Sequence, residues 1–287
     1  MKIRKIGDIK WKVVLFQGSP RDKYSCPNME SKTSVVVEHI IQKWSPFINF
    51  KVIDLSVDNG NKPIIQPCKG CVSTAGGYHC HFPCSCFSKG MKQPDLLSEL
   101  DVYDHLKECD AFLIFSPIHW HSLSSQIKTL FDRLVSVNQT LSVEDAKKLM
   151  GDDIKNGKIT GKFSKSGKYN NLLRNHLEGK VAGFWAQGDD GANDYAGKEL
   201  PLSYSDVFDD GFGKNPKNVL MPFVMQLKYS GVFVPDELIE AFYTNKGLDY
   251  YSANKTKNSE FIDRANNLIE NLLDYLEKNN NDYDKEI

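Results

Sequence analysis

Residues 111–133 read AFLIFSPIHWHSLSSQIKTLFDR, and the fold follows from how this stretch divides. Ala111 to Phe115 is the most apolar short run of the chain. A strand apolar on both faces has no side to offer water, so it reads as a central strand of a parallel sheet. Ser124 to Val135 then places Ile127, Leu130, Phe131 and Leu134 on one helical face. Ser116-Pro117 is expected to stop the strand, leaving His119 and Trp120 at the sheet edge and Ser122 to Ser125 at the helix start. The unit is strand, loop, amphipathic helix.

The same unit recurs to either side. Lys12 to Phe16 (KVVLF) is an apolar run that ends at Gly18. A helix is expected over Ser34 to Trp44, with Val36, Val37, Ile40 and Ile41 at helical spacing and Ser45-Pro46 as its stop. Strands are expected at Phe50 to Leu55, at Val181 to Ala186 and, last and shortest, at Val232 to Val234. Helices are expected over Val102 to Cys109, over Asn218 to Tyr229 with Gly231 as its cap, and over Phe261 to Leu276 before a charged, Asn-rich tail that should fray. Two stretches break the rhythm: a Cys-rich one at about 61–95 and a polar one at about 138–178. Alternating strands and helices imply an α/β, doubly wound parallel sheet in three layers. We read residues 1–287 as one domain carrying both insertions and a C-terminal helix at about 258–279. Ligands of such sheets bind beyond the carboxyl ends of the strands.

Lys and Arg number 36 against 37 Asp and Glu, a net charge of -1, which gives no global attraction to nucleic acid or an anionic membrane. No apolar run approaches the ~18 residues of a spanning helix. The start, Met1 to Lys12, has no apolar signal core. A cytoplasmic location is therefore expected, with cysteines kept as reduced thiols or metal ligands.

The first strand opens into GSPRDKYSCPNMESKTS (18–34), which leads to a helix amino terminus. Free N–H groups and the helix dipole there favour an anion, and Ser19, Arg21, Thr33 and Ser34 add donors. A hydroxyl-rich loop that only caps its helix is the plainer alternative. The loop has neither the GKS or GKT of a Walker loop nor GxGxxG, which disfavours a triphosphate or a dinucleotide in the usual pose. Beyond the AFLIF strand, Trp120 and the backbone around it could wall a planar aromatic ligand, or Trp120 could simply fill a core gap. No catalytic acid or base stands out.

Taken together, these two loops resemble those of the NAD(P)H-dependent FMN reductase and iron–sulfur flavoprotein families. Gly18-Ser19-Pro20-Arg21 is similar to their phosphate loop. Ser116-Pro117-Ile118-His119-Trp120, followed by Gln126-Ile127-Lys128-Thr129-Leu130-Phe131-Asp132-Arg133, is similar to their second flavin loop and its helix. The resemblance spans about residues 11–235. It implies a flavodoxin-like fold, FMN as cofactor, NAD(P)H as co-substrate, and a homodimer or homotetramer. It places Ser19, Arg21, Thr33 and Ser34 at the phosphate, and Ser116, Pro117, Ile118, His119 and Trp120 along the flavin ring. Gln187, Gly188 and Asp189 resemble the third flavin loop.

Five of the seven cysteines read Cys68-x2-Cys71-x8-Cys80-x3-Cys84-x-Cys86, with His79 and His81 between them. Such spacing suits an iron–sulfur cluster or a tetrahedral zinc. Iron–sulfur flavoproteins carry a compact cysteine motif in this region, but their third cysteine follows the C-x2-C pair after two residues, not eight. A [4Fe–4S] cluster, zinc, and thiols without metal all stay open. Two functions follow. In one, an enzyme passes electrons from NAD(P)H to a small acceptor such as a quinone, nitroaromatic or free flavin. In the other, a carrier relays electrons from a ferredoxin-like partner through FMN and a cluster. An FMN-free binding module on the same fold is a third.

Overall fold

The computed structural model describes residues 11–25, 28, 30–57, 62–70, 80–82, 84, 86–87, 95–138, 140–142, 144, 174–189, 216–244 and 259–283. In chain order the elements are β1 (Trp11–Gln17), α1 (Lys32–Trp44), β2 (Ile48–Asp54), β3 (His81–Phe82), α2 (Leu96–Glu99), α3 (Val102–Glu108), β4 (Ala111–His119), β5 (Ser122–Leu123), α4 (Ser125–Arg133), β6 (Leu141–Ser142), β7 (Val181–Asp189), α5 (Met221–Tyr229), β8 (Ile239–Thr244) and α6 (Ser259–Tyr283). The main sheet runs β2-β1-β4-β7-β8, all parallel, with β5 folded back antiparallel on β4. Counting the five long strands, the order is 2-1-3-4-5, that of flavodoxin-like sheets.

The two-residue period of the strands sorts their side chains into two cores. Along β1, Val13 and Leu15 join Val36, Ile40, Phe261 and Leu268 under α1 and α6. Val14 and Phe16 face the other way, toward Val102, Leu106, Ile127 and Phe223 on α3, α4 and α5. Strands buried on both faces have no polar side, which is why AFLIF and VVLF carry none.

Several boundaries differ from the sequence reading, for physical reasons. β4 does not end at Ser116-Pro117. It continues to His119 and turns into β5, so Ser122 and Leu123 are strand and the helix begins at Ser125 with Ser124 as N-cap. Proline is tolerated because Pro117 pairs in register with Gln187 without having to lie mid-ladder on both sides. Val232 to Val234 contributes only a bridge, Val181 to Phe233, and is not the last strand. That place belongs to β8, IEAFYT, whose alternation is masked by the adjoining acidic turn at Asp236–Leu238. Gly231 does terminate α5, at φ +73°, in the left-handed region glycine occupies without strain. The closing helix reaches Tyr283, further than its apolar stripe indicates. Most of the polar insertion, parts of the Cys-rich one, and Cys71 lie outside the described residues.

Candidate flavin site

Parallel pairing sets the carboxyl ends of β1, β4 and β7 side by side: Gln17 is in register with Phe115, and Pro117 with Gln187. The connections after these strands therefore leave one edge, and those after β1 and β4 build the site, the residues that follow Asp189 lying outside the described ones.

The first loop is organised by Gln17, which the sequence reading passed over. Its side-chain amide donates to Ser34 Oγ at 3.1 Å and to Asp54 Oδ1 at 3.0 Å, while its Oε1 accepts from the Ser19 N–H at 2.5 Å. One buried side chain thus ties the loop to α1 and β2. The signal was present: a glutamine closing an apolar run can be buried only if its amide is paired. Ser31 caps α1, accepting from the Ser34 N–H at 3.0 Å, and no acidic residue occupies the first turn. The positive end of the α1 dipole is therefore left uncompensated by the chain. Arg21 spans the loop, its Nη2 donating to Glu30 O at 2.9 Å, while its Nε is buried with no hydrogen-bond partner.

The expected phosphate donors separate on inspection. Ser19 is buried, and its hydroxyl accepts from the Arg21 N–H at 3.3 Å. Thr33 is buried within the α1 packing. Ser34 is half-buried, with its hydroxyl shared between Gln17 and Ser31. Arg21 and the α1 amino terminus are the groups with capacity left for an anion.

The second loop is bolted to the first. Gly18 N donates to Phe115 O at 2.7 Å, and Ser124 Oγ donates to Gly18 O at 2.5 Å. Ser116 is fully buried and accepts from the Ser124 N–H at 3.3 Å. Its hydroxyl thus serves the hairpin. Ile118 is buried and Pro117 half-buried. His119 pairs with Ser122 across a two-residue turn formed by Trp120 and His121, at φ +48° and +61°. Trp120 is 95% exposed, which removes the reading of it as core filler. Partial desolvation of the His119 ring lowers its pKa below the usual histidine value.

Gln187, Gly188 and Asp189, expected in a third loop, are instead the end of β7, which runs past Ala186 because it pairs with β8 there, and Gln187 and Gly188 are buried. A Cβ at Gly188 would lie 3.0 Å from Ile118 Cβ and 3.1 Å from the Tyr243 ring, so glycine lets β7 pass close to the hairpin. The edge therefore offers an anion end at α1 and, across Gly18, a hairpin that presents an aromatic ring. These features fit a phosphate joined to a planar ring, as in FMN.

The sheet order and the two loops define a flavodoxin-like oxidoreductase class. Within it, residues 11–167, just over half of the chain, match the NADPH-dependent FMN reductase family, and the chain belongs to that family. No curated protein matches it in sequence. Similar solved structures include general stress protein 14 from Treponema denticola in complex with FMN (14% identity, 93% of this chain and 99% of that one, TM-score 0.44). Others are the flavoenzyme FerB, an NAD(P)H:(acceptor) oxidoreductase from Paracoccus denitrificans (13%, 94% and 98%, 0.43), and an NAD(P)H:quinone oxidoreductase from Methanothermobacter marburgensis (12%, 90% and 96%, 0.44). These likenesses are too remote to bear on the substrate.

Among the described residues, no three His, Cys, Asp or Glu side chains are arranged to hold a metal ion, and no helix is long and apolar enough to cross a membrane. The expected cluster ligands Cys68, Cys80, Cys84 and Cys86 do line one cavity, away from the flavin edge.

Proposed function

We propose that this chain holds FMN with its phosphate at the amino terminus of α1, beside Arg21, and its ring against the β4–β5 hairpin. There it takes reducing equivalents from NADH or NADPH and delivers them to a small acceptor such as a quinone, nitroaromatic or free flavin. The observation that carries this reading is the juxtaposition of the two loops through Gly18, whose N–H and C=O are both spent on the β4–α4 connection. An anion site and an aromatic platform on one fixed edge suit a ligand with both parts.

When bound, FMN supplies the hydride and electron chemistry. The chain's share is to place and shield it. The α1 N–H groups and Arg21 would hold the phosphate. The Pro117 to His119 backbone would line the ring. Trp120 would offer a face to an incoming planar molecule. The electron-carrier reading rests on an iron–sulfur cluster, and no observation favours one.

The test is a titration of flavin-free protein with FMN and, separately, with riboflavin, followed by NADH and NADPH oxidation with a soluble quinone. Tight FMN binding, markedly weaker riboflavin binding and quinone-dependent turnover are expected. Failure to bind FMN at all overturns the reading.

A further inference from the structure

α5 departs from the pattern of a surface helix. Its sequence, MPFVMQLKY, is apolar around most of its circumference. Phe223, Val224 and Leu227 face the core, Phe223 edge-on to Phe131 of α4. The residues left outside are Met221, Pro222, Met225, Lys228 and Tyr229. Of these, Met221 is 48%, Met225 64% and Tyr229 79% exposed. A helix packed on one side ordinarily shows charge on the other, as α4 does with Lys128 and Asp132. A helix apolar all round is one that is covered all round.

The exposed residues also have an order. Met221, Met225 and Tyr229 stand four apart on one ridge, about 6 Å from one to the next along the axis. About Met225 the ridge is symmetric, with one large apolar side chain on either side. Such a surface is complementary to itself under a twofold axis. With about 200 Å² on each large side chain, the ridge and Pro222 leave on the order of 400 Å² of apolar area uncovered. A standard interface takes about 800 Å² from each partner, of which about 65% is apolar between identical chains. This face therefore supplies most of the apolar part of a stable dimer. Lys228 is the charged residue of the face, which gives little to select a charged partner. The net charge of -1 leaves two copies with scarcely any mutual repulsion.

We propose that the exposed face of α5 is the contact between two copies of this chain, related by a twofold axis that crosses the helix at Met225. Met225 then packs on Met225 of the partner subunit, and Met221 on Tyr229 of the partner subunit, with Lys228 at the rim. Methionine suits such a place, because its unbranched side chain fills irregular gaps. Tyrosine suits the edge, where its ring is covered and its hydroxyl stays wet. The turn that leads into α5, Pro216–Leu220, adjoins β5 at the flavin edge, and Gly231 beyond its end bonds to Gly179 near the start of β7. Two antiparallel α5 helices therefore turn the flavin edges to opposite ends of the dimer, and the contact leaves both open.

The experiment is sedimentation velocity of the full-length protein over the micromolar range, without and with added FMN. We expect twice the 32.5 kDa chain mass in both, so a failure of the flavin reading does not bear on the result. Met225→Glu sets two carboxylates against each other across the axis and should weaken association by more than ~100-fold, with the circular dichroism of wild type. Should Met225→Glu misfold, Tyr229→Ser, at the most exposed position of the ridge, carries the same test. Phe233→Glu is the control. Phe233 is exposed, alternates with Val232 and Val234 of the core beneath α5, and so points to the other face of the sheet. It should leave the dimer intact. A chain that sediments as a monomer throughout overturns the proposal. So does a dimer that survives both Met225→Glu and Tyr229→Ser, or one that Phe233→Glu abolishes. A different protein, bound in equal amount and released by Met225→Glu, overturns it as well, since the face then belongs to that partner.

Discussion

Arg133 and Asp95 form a bidentate ion pair, Nη1 to Oδ1 at 2.9 Å and Nη2 to Oδ2 at 3.1 Å, with both side chains essentially buried. The carboxylate is further held by the N–H groups of Gln66 at 2.8 Å and Ser98 at 3.3 Å, and the guanidinium by the Gln66 carbonyl at 2.7 Å. The Phe87 ring lies 4.7 Å from the guanidinium carbon. Burial alone would lower the pKa of Arg133, but its hydrogen bonds to the Asp95 carboxylate and the charges around it outweigh this and the net shift is upward, so the guanidinium keeps its charge. This clamp fixes the start of α2 and the segment around Gln66 to the end of α4.

Removing one member of such a pair strands the other charge. Asp95→Ala or Arg133→Ala should each destabilise the fold by about 3–5 kcal/mol, read from urea unfolding midpoints. Arg133→Lys should recover little, because an ammonium cannot bond both carboxylate oxygens in a plane. Full recovery by lysine would show that charge alone, without the fork geometry, sustains the contact.

Gly18 sets the approach of the β1–α1 loop to the β4–β5 hairpin. A Cβ there would sit 2.5 Å from Ile127 Cγ1 and 2.9 Å from the Phe115 carbonyl. Ile127 can shift its terminal atoms, but the carbonyl is fixed in β4. Gly18→Ala should therefore cost about 1–3 kcal/mol by overpacking. It should also weaken FMN binding, since the N–H and C=O that join the loops must move. Denaturation and flavin titration on the same variant check both; a stable variant with unaltered FMN affinity would show that the loops tolerate separation.

The sheet was legible because its strands are buried on both faces and leave uninterrupted apolar runs, as at Leu113 and Ile114. The β1–α1 loop was legible because a strand, a glycine and a helix start occur in fixed order. What stayed hidden was long-range pairing. Nothing local tells that Gln17 reaches both Ser34 and Asp54, or that Arg133 is paired with Asp95, 38 residues away. The hairpin was missed for a different reason: Ser116-Pro117 is a local stop signal, overridden by pairing with β7 on one side and β5 beyond it. β8 was missed because Glu240 interrupts its apolar residues and a polar turn adjoins it.

Cys109 should behave as a buried, protonated thiol. Burial pushes its pKa up to about 11 from a starting value of 9.0. The thiolate is the reactive species, so Cys109 should resist iodoacetamide in native protein at pH 8 and react only after unfolding. The linkage has a definite sign. The folded state keeps a proton that the unfolded state loses above about pH 9, so the contribution of Cys109 to stability is full below that pH and is lost as pH rises toward 11. Urea midpoints of wild type should fall more steeply over this window than those of Cys109→Ala. Parallel slopes would mean the thiol is not desolvated in solution.

Trp120 and His121 form the two central positions of the β4–β5 turn, and both have positive φ. A two-residue hairpin turn of this kind is ordinarily Asn-Gly, because other side chains are strained in the left-handed region. Strain of about 1–3 kcal/mol per residue is sustained where the side chain has a use. Replacing the pair with Asn-Gly should therefore raise the unfolding free energy by on the order of 1 kcal/mol or more. It should also remove the exposed ring that we assign to planar acceptors, raising KM for a quinone more than it lowers FMN affinity. The two readings separate cleanly. Greater stability with unchanged quinone kinetics would leave the strain real but Trp120 without a part in acceptor binding. Unchanged stability would mean that the turn relaxes in solution.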